Sequence, residues 1–214
     1  MISLRNNRAG FTLIELLIAM AISGVVIAAI YAVYNSQQKI NASQQQIVEM
    51  HQNLRSAELM LVNEIRMAGY DPTGSAGAGI VNLGTDTITF TMDLDGDGAL
   101  TGSDENITYL LYTDSDGRQK LGRQSPTTPQ ALAENIDALN FVYLDVDGNV
   151  TASASAVRSV QVSVVAKTNR PAVDNHVDNT TYKNLRGVPI YTAGGDSFRR
   201  KRLATQIKCR NLSI

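Results

Sequence analysis

The sequence predicts an α+β fold in which one long amino-terminal helix packs on an antiparallel β-sheet, and three observations carry that expectation. An apolar run fills residues 11–34, a stretch without glycine or proline fills residues 35–68, and from Asp86 onward short alternating runs separated by turn residues replace the helical period. The chain has 214 residues, so a body of ordinary single-domain size remains once the amino-terminal segments are set aside.

Residues 11–34 carry one charged side chain, Glu15, and no proline. At about 1.5 Å rise per residue they make a helix long enough to cross a hydrocarbon core about 30 Å thick. A carboxylate inside such a segment is costly and is kept mainly where it has a partner or a task. Residues 1–10 hold Arg5 and Arg8 and no acid, so the positive-inside rule leaves this end in the cytoplasm and exports the body. Residues 35–69 continue as an amphipathic helix. Val33, Ile40, Ile47, Leu54, Leu61 and Ala68 recur every seventh position, and Val48, Met50, Ala57 and Ile65 widen the stripe. Only one heptad position is consistently apolar, so the stripe suits packing onto the body better than a coiled coil. Gly69 followed by Tyr70-Asp71-Pro72 ends the helix.

Residues 70–214 read as a β-rich globular domain. Strands are expected at 87–92, 107–113, 119–123, 139–145, 157–167 and 203–210. Asp114-Ser115-Asp116-Gly117 and Asp145-Val146-Asp147-Gly148-Asn149 fall between such runs as hairpin turns. Residues 73–79 read as a loop, and residues 129–136 as a short helix or a loop.

The formal net charge of −1 gives no global pull toward nucleic acid. One cysteine, Cys209, excludes an intramolecular disulfide, and two histidines without a zinc-site spacing argue against a zinc enzyme. No nucleophile elbow, kinase signature or phosphate-cradling glycine loop is present, so no catalysis is expected. The basic run around residues 198–211 reads as a final strand with Leu203, Ile207 and Cys209 inward and Lys208 and Arg210 outward. The sharper reading of that run is a basic edge meeting phosphates of DNA or lipid.

Asp93-Leu94-Asp95-Gly96-Asp97-Gly98-Ala99-Leu100-Thr101-Gly102-Ser103-Asp104 has the ligand spacing of a calcium loop. Asp93, Asp95 and Asp97 stand at positions one, three and five, glycine at six, Ala99 at seven with its carbonyl, Thr101 at nine and Asp104 at twelve. The last ligand departs from the EF-hand pattern by being Asp104, with Glu105 next to it, and strands instead of helices flank the loop. Calcium is the expected cofactor, and an acidic, glycine-rich solvent turn is the other reading.

The stretch Gly10-Phe11-Thr12-Leu13-Ile14-Glu15 ahead of the apolar run resembles the processing site of type IV pilins and of type II secretion pseudopilins. An ordinary signal peptide would place its small residue after the apolar run, not before it. The resemblance implies cleavage between Gly10 and Phe11 by a prepilin peptidase, N-methylation of Phe11, and a leader at residues 1–10. It also implies that Glu15 attracts the amino terminus of a neighbouring subunit during assembly. Gly24 and Tyr34 match that family's pattern, while Ala32 stands where major pilins usually carry a proline. Looser likeness in Glu64-Ile65-Arg66-Met67-Ala68-Gly69-Tyr70, in the Asp93 loop and in residues 199–211 points toward minor pilins of the PilW type, which are related to the pseudopilin J of type II secretion. The implied function is a minor pilin that takes part in initiating type IV pilus assembly. A type II secretion pseudopilin and a filament-displayed adhesin or DNA-binding subunit are the alternatives. The implied partners are other minor and major pilins, the peptidase and inner-membrane lipid. The implied place is the bacterial inner membrane with a periplasmic body, then the filament or its tip.

Overall fold

The computed structural model describes residues 10–125 and 127–212, so all of the expected leader at residues 1–10 except Gly10 lies outside the described residues. The chain divides into two compact units, Met1–Gln44 and Gln45–Ile214.

In the first unit the described residues from Leu13 onward are helical, as the first part of α1 (Leu13–Met67). The helix runs unbroken past Ala32, where no proline interrupts the backbone hydrogen bonds. Its apolar side chains in this unit, from Leu13 to Tyr34, are exposed. The helix contains a window long and apolar enough to cross a membrane, and none of that window is buried.

In the second unit α1 presents Met50, Leu54, Ala57, Leu61 and Ile65 to the core, with Ala68 just beyond its end. Their spacing of three and four residues keeps them on one side of the helix. Fully burying a side chain such as Leu61 or Ile65 contributes roughly 1.5–3 kcal/mol. Ile40 and Val48 of the expected stripe are exposed, so the heptad pattern extends farther along the helix than its burial does. Gly69 takes the left-handed conformation (φ 79°) and its N–H donates to the Thr91 carbonyl at 2.9 Å, which turns the chain out of the helix.

Ten strands follow. β1 (Ile80–Leu83), β2 (Thr87–Thr91), β3 (Asn106–Thr113), β4 (Gln119–Gln124) and β5 (Pro129–Glu134) form a five-stranded sheet in which each strand pairs with the next. β6 (Ile136–Leu144), β7 (Ser159–Lys167) and β10 (Arg200–Lys208) form a second sheet in the order β10-β7-β6, and β8 (Thr181–Lys183) pairs with β9 (Pro189–Thr192). All pairings are antiparallel. Both larger sheets turn side chains into one core with α1, among them Ile88, Phe90, Ile107, Tyr109, Leu121, Phe141, Val160, Val162, Val164 and Ile207. Loop residues 84–86 join the sheets: the Phe141 N–H donates to the Thr85 carbonyl at 2.8 Å, and the Tyr143 hydroxyl donates to the Gly84 carbonyl at 2.8 Å.

The six expected strands are present. Residues 129–136 correct the expectation of a helix or loop. Ala131, Leu132, Ala133 and Glu134 have no strand preference of their own, yet pairing with β4 extends them. Pro129 is tolerated because β5 is an edge strand that needs no N–H there.

Candidate functional site

The processing segment is short and open. Gly10 and Phe11 precede the helix in non-helical conformation, and Phe11 is 91% exposed. Thr12 and Glu15 then form a reciprocal capping box: the Glu15 N–H donates to Thr12 Oγ1 at 3.3 Å, and the Thr12 N–H donates to Glu15 Oε2 at 2.9 Å. The Thr12 hydroxyl also donates to Glu15 Oε2 at 2.8 Å. Within one chain, Glu15 therefore already satisfies backbone at the helix start. The spacing Thr-x-x-Glu at the head of an apolar run is the sequence signal for this box.

The acidic loop is built differently. Asp93 is fully buried, and its carboxylate accepts the N–H of Gly96 at 2.7 Å and of Gly98 at 3.1 Å. Both glycines have positive φ, 76° and 80°, which the tight turn around one carboxylate requires. Asp95 accepts the Asp97 N–H at 3.1 Å, and Asp97 accepts the Ala99 N–H at 2.7 Å. One carboxylate oxygen from each of Asp93, Asp95 and Asp97 lies within 4.8 Å of the others, with Asp95 and Asp97 facing solvent. Beside the loop, Asp71 accepts the Gly77 N–H at 2.9 Å. Burial pushes the Asp71 carboxyl up, but bonds from Gly77, Thr73, Gly74 and Ala76 outweigh it and hold the group below its ordinary value.

Asp104 does not join the three aspartates. Its backbone is left-handed (φ 68°), its N–H donates to Ser125 Oγ at 3.0 Å, and its carboxylate pairs with Arg123 Nη1 at 2.8 Å. Glu105, the neighbouring acid, is buried and closes the loop by accepting the N–H of Leu94 at 3.0 Å and of Gly102 at 2.6 Å. A side chain at Gly102 would meet Glu105 Oε2 at 2.6 Å, so the Glu105 carboxylate would have to shift to admit it. Among the described residues Thr101 makes no hydrogen bond in this arrangement.

Two ion-pair clusters were not legible beforehand. Arg123 on β4 also donates through Nε to both oxygens of Glu64 on α1, at 3.0 and 2.9 Å, and the Tyr109 hydroxyl donates to Glu64 Oε2 at 2.5 Å. Burial first, and then the Glu64 carboxylate, raise the Tyr109 phenol well above its ordinary range. In the second cluster Arg200 meets Asp137 at 2.6 Å, Asp178 at 3.1 Å and Asp196 at 2.6 Å, with its side chain 1% exposed. Tyr191 lies under the guanidinium at 5.1 Å, and Lys167 holds the other oxygen of Asp137 at 2.7 Å. Arg199 pairs with Asp174, and Arg202 donates to the Lys183 carbonyl at 2.5 Å. Much of the basic run is thus spent inside the fold. Cys209 is buried, and burial pushes its thiol up to about 12, in keeping with a small apolar role.

Residues 5–31 match the family model of the prokaryotic N-terminal methylation motif. The structure is similar to a type IV-like pilin from Thermus thermophilus, with 14% sequence identity and a TM-score of 0.50, over 77% of this chain and 98% of that one. No curated protein sequence matches the chain. A long apolar amino-terminal helix and antiparallel sheets are the type IV pilin-like fold. The chain thus joins a type IV pilin-like fold to a methylation motif at its start.

Proposed function

We propose that the protein is a minor pilin of the PilW type that takes part in initiating type IV pilus assembly and has no catalysis of its own. The observation that carries this reading is the methylation motif over residues 5–31 at the head of an exposed apolar helix. A prepilin peptidase cuts between Gly10 and Phe11 and methylates Phe11, and the open conformation of that bond supports its access. Residues 11–34 hold the subunit in the inner membrane with the body in the periplasm, then pack among other pilin helices in the filament or at its tip. Glu15 exchanges its contact with Thr12 for the amino terminus of a neighbouring subunit, since a full opposite charge in an apolar bundle is a stronger partner than an N–H.

Intact-mass measurement of the protein from its host tests this: the expected chain begins at a methylated Phe11, and a chain that keeps residues 1–10 overturns it. Glu15→Ala is expected to stay inserted and to lower pilus number, and wild-type piliation in that variant would sink the assembly role. The same motif and fold serve type II secretion pseudopilins, so a deletion strain is scored for surface pili against enzyme secretion. Display of a DNA-binding surface has less support, because Arg199, Arg200 and Arg202 are engaged within the fold.

For the acidic loop we propose a calcium ion held by Asp93, Asp95 and Asp97, with the Ala99 carbonyl, Thr101 and Asp104 completing the set. The convergence of three carboxylates supports this, since they repel one another without a cation. Asp104 would first have to leave Arg123. Calcium is expected to raise the melting temperature of the full chain in detergent, and Asp95→Ala with Asp97→Ala to abolish the rise. No calcium uptake by calorimetry would remove the site.

A further inference from the structure

The last strand, β10, has one side unpaired. Its register with β7 sets which backbone groups face that side: the Thr168 N–H donates to the Arg199 carbonyl and the Cys209 N–H donates to the Arg158 carbonyl, both within the same antiparallel ladder. Odd-numbered residues of β10 therefore bond inward to β7, and even-numbered ones turn their N–H and C=O away from it. Farther along, the outward N–H of Arg210 is taken by the carbonyl of Arg66 at the end of α1. Between these points the outward N–H groups of Arg202, Ala204 and Gln206 have no hydrogen-bond partner among the described residues.

Beside this edge lies a groove of about 520 Å³ between α1 and β10. Val48, Leu54 and Leu203 supply apolar wall, and the charged lining is Arg55, Lys201 and Arg202 against the single carboxylate of Glu58. Among the described residues neither Arg55 nor Lys201 forms an ion pair, and both are exposed.

We propose that the free edge of β10 docks an extended acidic segment of another polypeptide, which adds to the β10-β7-β6 sheet as a fourth strand. Its backbone meets the outward groups of Arg202, Ala204 and Gln206, its apolar side chains enter the groove beside Val48 and Leu203, and its carboxylates meet Arg55 and Lys201. The backbone supplies register, and the cations select an acidic partner over a basic one. This inference stands whether or not the chain acts as a minor pilin.

The test uses the full chain in detergent and a fluorescent peptide of about seven residues alternating glutamate with valine, matched to the length of the open edge. The acidic peptide is expected to bind saturably, and its lysine–valine counterpart not to. Amide exchange at Arg202, Ala204 and Gln206 should slow on binding, while Leu203 and Thr205, already bonded to β7, should not change. Ala204→Pro removes one outward N–H on an edge strand, where proline is tolerated, and is expected to weaken binding at least about tenfold. Arg55→Glu with Lys201→Glu, both on exposed side chains, should reverse the preference toward the lysine peptide. Failure of the acidic peptide to bind, or equal binding by both variants, overturns the proposal. So does tighter binding of a short DNA duplex or of phosphatidylglycerol vesicles at the same residues. A concentration-dependent dimer that Ala204→Pro dissociates assigns the edge to a second copy and also overturns it.

Discussion

Arg200→Met is expected to destabilise the folded body by about 3–5 kcal/mol, because it leaves buried Asp178 without a counter-charge and buried Asp137 with Lys167 alone. Methionine keeps roughly the length of the stem and removes only the planar fork. Asp137 and Asp178 have side chains 5% and 4% exposed, so water cannot take over the lost contacts. Arg200→Lys should recover only part of the loss, since an ammonium carries its three N–H groups on one nitrogen, whereas the guanidinium meets the three carboxylates from three nitrogens of a planar fork. Denaturant titration of the full chain in detergent reads the effect, and a loss below about 1 kcal/mol would deny the cluster its structural weight.

The same cluster gives a pH dependence with a definite sign. The Arg200 guanidinium is the main influence holding Asp196 below its ordinary value, against a weaker upward push from burial. Burial pushes Asp178 up, but bonds from Thr180, Tyr182 and Arg200 outweigh it and hold that carboxyl low as well. A carboxyl lowered by folding contributes stability that is fully present above its unfolded value of about 3.9 and lost as pH falls toward the folded value. The stability gap between wild type and Arg200→Met should therefore be constant near neutrality and narrow below about pH 4.

Glu64→Gln is the second large effect, expected at about 3 kcal/mol. It takes the charge from a carboxylate that binds both Arg123 and Tyr109 at the junction of α1 with β3 and β4. Arg123 would keep only Asp104, which is half exposed. The Tyr109 phenol should titrate lower than in wild type, though still above its ordinary range because burial, its largest influence, remains. Ultraviolet titration of the tyrosines separates this from a general loss of stability, and an unchanged Tyr109 with full stability would refute the role given to Glu64.

The long helix, the six principal strands and the turns at residues 114–117 and 145–149 were legible because each rests on a local signal: an apolar period, β-branched content or Asp-Gly chemistry. β5 was not, since Ala131, Leu132 and Glu134 carry no strand preference and are extended only by their neighbour β4. The short pair β8 and β9 escaped notice for a similar reason, with three and four residues too few to show a period. At the candidate sites, spacing located Asp93, Asp95 and Asp97, which do converge. It could not foresee Arg123, distant in sequence, drawing Asp104 aside. Arg200 looked like one more surface cation in a basic run, and only the tertiary fold brings Asp137, Asp178 and Asp196 around it.

The two larger sheets differ in how far apart in the chain their strands lie. Each strand of the β1 to β5 meander pairs with the one made just before it, so that half can close while the chain is still being synthesised. β10 pairs with β7 and arrives last, bringing Ile207 and Cys209 to the core, and the adjoining Arg210 N–H to the end of α1. The order of synthesis thus becomes an order of closure: the final strand seals a core that the helix and meander have already begun. Truncation before residue 200 would leave that core unsealed on one side.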